Sequence, residues 1–382
     1  MSAAQWRRAM NGGLRHAGST QQAPVPVRAT ASAQAAQPDP YAGSDAPRWL
    51  KFLWRTLSAR HVFTLALVLV FPFVATPFFT FQVAAQALVL GLIALSLTFL
   101  GGYGGMVSLA QMSVAGMAGY ALAIFGTSST PISLGWPWWL AVIFAVLIAT
   151  ACATVIGWLS VRTEGIYTIM ITLAFGVAFY YLVLQNYTLF NGFQGFQKVY
   201  PPDVLGVNWR EPLPFYFLSL FWALAGYFAV KWTVRTPFGV ALQGVRDNPR
   251  RMAALGFNVV AHRVAAYSVA GLMAAIGGVL MVWYNGLITP GSVNTGWQIN
   301  ILVIAVLGGM RHPIGAFLGA IVFVLLQTFA IDLIDRERFN LVIGVVFLAI
   351  VLFSPDGLLG LWAKLRSRFG PNQTVTSPQS RH

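Results

Sequence analysis

From Val62 onward the chain is a succession of apolar runs separated by short polar breaks. The runs fall at 62–80, 82–100, 106–126, 138–159, 165–185, 214–232, 264–285, 297–309, 314–331 and 339–353, and they carry almost no charge. A helix needs about 17–25 such residues to cross the hydrocarbon core of a bilayer. Composition closes the soluble alternative: only 9% of the residues are charged and 57% are hydrophobic, whereas soluble domains carry roughly a quarter charged residues. The runs therefore read as an all-α membrane protein, a polytopic helical bundle of about ten transmembrane spans. The runs at 297–309 and 339–353 are short, and eight or nine spans result if these are tilted, broken or re-entrant.

Charge orients the bundle. With ten spans and an inner N-terminus, 20 of the 24 Lys and Arg fall on inner segments; only Lys198, Arg210, Arg336 and Arg338 fall outside. Cytoplasmic loops carry such an excess, so both termini are expected to be cytoplasmic. Losing one span would scramble the asymmetry. The domain reading is a disordered basic cytoplasmic tail over 1–61, a transmembrane domain over 62–362 with a basic inner loop at 233–262, and a cytoplasmic C-terminal tail over 363–382. Residues 1–48 are rich in Ala, Gln, Pro, Ser and Arg with no apolar period, and no secretory apolar region precedes Val62.

The net charge of +14 is thus explained by orientation and not by nucleic acid, because no basic patch is interleaved with exposed aromatics. The single cysteine, Cys152, forms neither an internal disulfide nor a multi-cysteine metal site. The five histidines are scattered over tails and loops. No phosphate-cradling G-x-x-x-x-G-K-[ST] occurs, and no H-E-x-x-H or G-x-S-x-G. The chain is therefore read as neither an enzyme nor a cofactor protein. Carboxylates within the spans are almost missing, which weakens an ion-coupled carrier built on a buried acid relay.

The inner loop holds the most specific signal, Arg246-Asp247-Asn248-Pro249-Arg250-Arg251-Met252-Ala253-Ala254-Leu255-Gly256. Asn248 is a good N-cap and Pro249 suits the first helical position. Gly256 tolerates a left-handed C-terminal turn. The expected result is a helix of about two turns outside the bilayer, with Met252 and Leu255 three apart on one face. So short a helix is marginal alone and needs a surface to dock on, either anionic lipid or a cytoplasmic motor subunit.

This stretch resembles the cytoplasmic loop of the LivM-type permeases of branched-chain amino acid ABC transporters. The matching residues are Arg235, Thr236, Pro237, Phe238, Gly239, Ala241, Leu242, Val245 to Asn248, Ala253, Leu255, Gly256 and Asn258. Four other segments are similar to the same family: Gly165 to Gly176, Gly286 to Pro290, Val306 to Met310 with Pro313 to Ala320, and Phe353 to Gly360. The resemblance spans roughly 82–362, in order. It departs at Met252, where the family often has an acid, and at Ala110 and Met112 in the glycine-rich segment.

The resemblance implies a bacterial inner-membrane permease subunit of an importer. Its short helix would dock on an ATP-binding subunit, which uses the ATP and magnesium. A second homologous permease and a periplasmic binding protein are the other implied partners, with branched-chain amino acids as solute. Urea, short amides or aromatic acids within the same family, and a stand-alone ion-coupled carrier, stay open as alternatives.

For the solute path, polar residues at membrane depth should face the protein interior or water. The candidates are Gly104 in the cluster Gly101 to Gly105, then Ser108, Gln111, Thr168, Thr172 and Asn300, with Ser113 and Gln298 nearby. Gly308-Gly309 and Pro313 echo the earlier glycine cluster and fall on the same side of the membrane in this topology.

Overall fold

In a computed structural model the described residues are 68–163, 165–203, 206–333, 344–345, 348 and 357–360, all within the compact unit Ala66–His382. The last expected span and both tails lie outside them, apart from the few positions just given.

Among the described residues the apolar runs form helices, and the breaks fall where backbone chemistry requires. The first break comes at Ala75–Thr76, ahead of Pro77, because a residue before proline is pushed out of the helical region. The second run therefore starts earlier than its apolar pattern suggests, as helix α1 (Phe79–Tyr103), which ends in a widened π turn over Phe99–Tyr103. The run at 106–126 yields only the 15-residue α2 (Gln111–Phe125). Then follow α3 (Trp138–Ser160), α4 (Ile166–Gln185) and α5 (Pro212–Arg235). Two short helices, α6 (Pro237–Asp247) and α7 (Pro249–Ala254), precede α8 (Val259–Asn285). The described bundle closes with α9 (Thr295–Gly308) and α10 (Pro313–Leu333).

Among the described residues five helices, α1, α3, α4, α5 and α8, are long and apolar enough to cross a membrane. The pair α9 and α10 is bent by 117° and counts as at most a sixth span. A two-stranded ladder joins the loop after α4 to the end of α8: β1 (Phe196–Gln197) runs antiparallel to β2 (Leu287–Ile288).

The core is built around α1 and α8. The most apolar window of α1 is 83% buried and that of α8 67%, whereas α4 is only 28% buried and presents its other faces outward. Small residues let these helices approach. The inward stripe of α3 is Ala141, Ala145, Ala149, Ala153 and Gly157, the spacing of one helix face. At the closest crossings backbone meets backbone: a Cβ on Gly278 of α8 would overlap the Ala115 carbonyl of α2, and one on Gly319 of α10 would overlap the Ile304 carbonyl of α9. In lipid such packing, rather than water expulsion, drives helix association.

Basic residues gather at one end. Val161, Thr163, Pro249 and Arg263 share one cavity, and Arg246 reaches Gly102. Arg162, Arg250 and Arg251 follow closely on these residues in sequence, and the Arg311 backbone lies beside Gly102. Lys198 and Arg210 lie at the opposite end, where Arg210 stacks 4.0 Å over Tyr200.

Candidate functional site

The inner loop folds as its capping residues dictate, with one element more than its sequence suggests. Thr236 caps α6 by accepting from Gly239 N–H at 3.3 Å. The apolar face of α6 (Ala241, Leu242, Val245) is buried against the bundle. Asn248 then breaks the helix in an extended conformation, and its Oδ1 accepts from Arg251 N–H at 2.9 Å. Pro249 occupies the first position of α7.

The exit is a double backbone closure. Gly256 adopts φ +87°, its N–H bonds Ala253 O at 3.0 Å, and Phe257 N–H reaches Met252 O at 3.1 Å. This is the glycine-terminated C-cap expected from sequence. Asn258 caps α8 in turn, accepting from Ala261 N–H at 3.0 Å, and His262 stacks on Phe238.

The stub is thus rigid at both ends, yet no residue of α7 is buried. Met252 and Leu255 do not share one environment, although they stand three apart. Met252 turns back onto Gly244 of α6, while Leu255 is 67% exposed.

The polar candidates fall into three groups. Ser108, Gln111, Thr168 and Thr172 are all buried and form one seam between α1, α2, α4 and α9. Ser96 of α1 donates to Gln111 Oε1 at 3.0 Å. Thr172 Oγ1 accepts from Leu109 N–H at 3.1 Å and donates to its own helix at Ile169 O or Thr168 O. Ser108 Oγ accepts from Ala110 N–H. Gln298 joins this seam through Ser113, 3.2 Å away. Its Oε1 has no hydrogen-bond partner among the described residues, and its amide rests directly on Gly176, the next step of the Thr168–Thr172 stripe.

Gly104 lies elsewhere, buried beside Leu242 of α6. Asn300 stands two residues from Gln298 and therefore on another face of α9; it is half-buried outside the seam. Ser96 and Gly176 are absent from the sequence-based candidates, where Gln298 figured only as a neighbour of Asn300. Gly176 had a signal in its spacing of four from Thr172. Ser96 had none beyond being polar inside an apolar run.

Below the seam, Gly105, Thr163, Thr168, Pro249 and Arg263 help line a cavity of about 400 Å³ that opens beside the stub. Beyond Thr168 the seam is buried. It offers hydroxyls and amides but no formal charge, a lining suited to a solute that binds weakly and leaves. Replacing Thr172 with valine keeps the shape and leaves the buried Leu109 N–H without its acceptor, at a cost of about 1–3 kcal/mol. A lower Tm and faster hydrogen exchange at Leu109 are the expected readouts.

Comparison with known proteins gives a consistent picture. The family described as the permease component of branched-chain amino acid transport systems matches residues 79–351. A high-affinity branched-chain amino acid transport system permease protein, LivM, of Salmonella typhimurium is 22% identical over 278 residues, 66% of this chain and 65% of that protein. A probable LivM of Methanocaldococcus jannaschii is 24% identical over 240 residues, 57% of this chain and 68% of that protein. An autoinducer 2 import system permease protein, LsrC, of Photorhabdus laumondii is 30% identical over 149 residues, 37% of this chain and 41% of that protein. The chain therefore spans 65% of the length of the Salmonella relative it matches. No solved structure matches.

Proposed function

This chain belongs to the family of branched-chain amino acid transport permeases, which matches it over residues 79–351, and from that premise we propose that it forms the solute path of an ABC importer and takes its drive from a separate ATP-binding subunit docked on α7. The observation that carries the reading is the stub: a capped, rigid helix with an exposed leucine and no buried residue. A helix that short persists in water only with support, and its neighbours supply that support while leaving the outer face bare. In this reading the bundle has ten spans with both ends in the cytoplasm, the stub faces the cytoplasm of a bacterial inner membrane, and Arg246 to Gly256 carry the coupling.

The seam of Ser108, Gln111, Thr168, Thr172 and Gln298 is the gate of the path. A second permease covers the outward faces of α4, and a periplasmic binding protein delivers the solute. Branched-chain amino acids are the solute best supported by the relatives. The 30% identity to an autoinducer 2 permease favours a second reading, another small polar solute carried by the same machinery.

The test is reconstitution into liposomes with and without the ATP-binding subunit and binding protein. ATP-dependent leucine uptake only in the complete assembly is the expected result. Uptake by the chain alone, driven by an ion gradient, overturns the reading. Leu255→Asp places a charge on the exposed apolar knob and is expected to weaken capture of the ATP-binding subunit by about tenfold or more.

A further inference from the structure

We propose that Arg246 is a latch that ties the stub to the glycine break of α1, so that motion at α7 enters the bundle through this one side chain. The inference rests on the reading that α7 docks the ATP-binding subunit.

The latch begins with a backbone group left over at a helix end. In a regular helix the Gly102 carbonyl would accept from Met106 N–H. Here α1 widens into a π turn, leaves the helix at Gly105 with φ +68°, and sends Met106 N–H back to Leu100 O at 3.0 Å. Helix ends must find partners for such carbonyls. Arg246 supplies one, donating from Nη1 to Gly102 O at 2.6 Å.

The guanidinium is held on its other edge as well, with Nε and Nη2 at 2.9 and 2.8 Å from Asp247 Oδ1. Its stem lies on the bare α-carbon of Gly105, where an added Cβ would come within 2.5 Å of Arg246 Cγ. A planar fork bonded on two edges is held in one orientation; a lysine ammonium would keep the bond to Gly102 with less angular definition.

Both ends of the latch lead onward. Two residues after Arg246, Asn248 caps α7. On the far side of Gly102 lies the Met310 carbonyl, which a Cβ on Gly102 would overlap. The turn between α9 and α10, which follows Gly308 and contains Gly309, thus rests on the same glycine that Arg246 grips. The two glycine breaks that echo each other in sequence meet in space, and Arg246 bonds to that meeting point. Its side chain is 38% exposed, so the bond sits at the aqueous edge, where it can break and re-form as α7 moves.

A staple that merely holds the fold would affect hydrolysis and uptake alike; a latch affects their ratio. The complete assembly is reconstituted, and leucine uptake and ATP hydrolysis are measured together. Arg246→Met keeps the stem over Gly105 and removes the guanidinium. Uptake per ATP is expected to fall by about tenfold while hydrolysis continues. Arg246→Lys restores a donor for Gly102 and is expected to recover uptake per ATP to within about threefold of the parent. If uptake per ATP in Arg246→Met stays within that same margin of the parent, with both rates lowered or neither, the latch is wrong.

Capture of the ATP-binding subunit by Leu255→Asp separates the two readings. Undiminished capture overturns the docking that the latch presupposes. Lost capture together with normal uptake per ATP in Arg246→Met overturns the latch alone.

Discussion

Replacing residues 250–256 with a short glycine linker is expected to bring ATP-driven uptake down to that of empty liposomes, a fall of about 100-fold or more, while the chain still folds. The argument is one of burial. No residue of α7 is buried, and its caps close on residues of the loop itself, Asn248 with Arg251 and Gly256 with Ala253. Removing it costs the bundle little apart from Met252 on Gly244. Helical content by circular dichroism and Tm in detergent should therefore stay near those of the parent. Uptake that survives the deletion would refute the coupling role of the stub, because the family-like residues would then serve some other purpose.

The second large effect lies in the fold. Gly278→Val is expected to reduce the yield of folded protein severely and to lower Tm by about 5 °C or more. The reason is what stands opposite. A Cβ there meets the carbonyl oxygen, carbonyl carbon and α-carbon of Ala115, and backbone cannot swing aside as a side chain can. The neighbouring Gly277 faces Ile93 of α1, so α8 cannot retreat without parting from α1 as well. Gly291→Ala is the matching control: its nearest neighbour, Thr289 Oγ1, is 3.5 Å away, an ordinary contact. Equal losses in both variants would show that the crossing at Gly278 is not tight.

Much of the architecture was legible because lipid imposes long apolar runs. The run at 138–159 became α3 over Trp138–Ser160, and the run at 165–185 became α4 over Ile166–Gln185. The stub was legible for a different reason: Asn248, Pro249 and Gly256 act on their own neighbours, so their effect needs no knowledge of the rest of the chain. What stayed hidden depends on distant partners. That Gln298 would reach Ser113, 185 residues away, and that Asn300 would not, follows from which face of α9 meets α2 and α4. Apolar residues surround both amides in the sequence. The ladder between β1 and β2 was equally hidden, since two residues per strand are too few to leave a period of two.

The helix crossings also change what a routine experiment would mean. Alanine is usually the mildest replacement, since it deletes contacts and adds none. Where Gly278 lies on Ala115 and Gly319 on Ile304, a single methyl group is the intruder. A scan with alanine across this chain would therefore score scaffold positions as if they were transport residues. Leucine or valine positions trimmed to alanine, by contrast, would look benign on the exposed side of α3, at Leu147, Val155 and Leu159. Separating the two classes takes a folding assay run beside every transport assay.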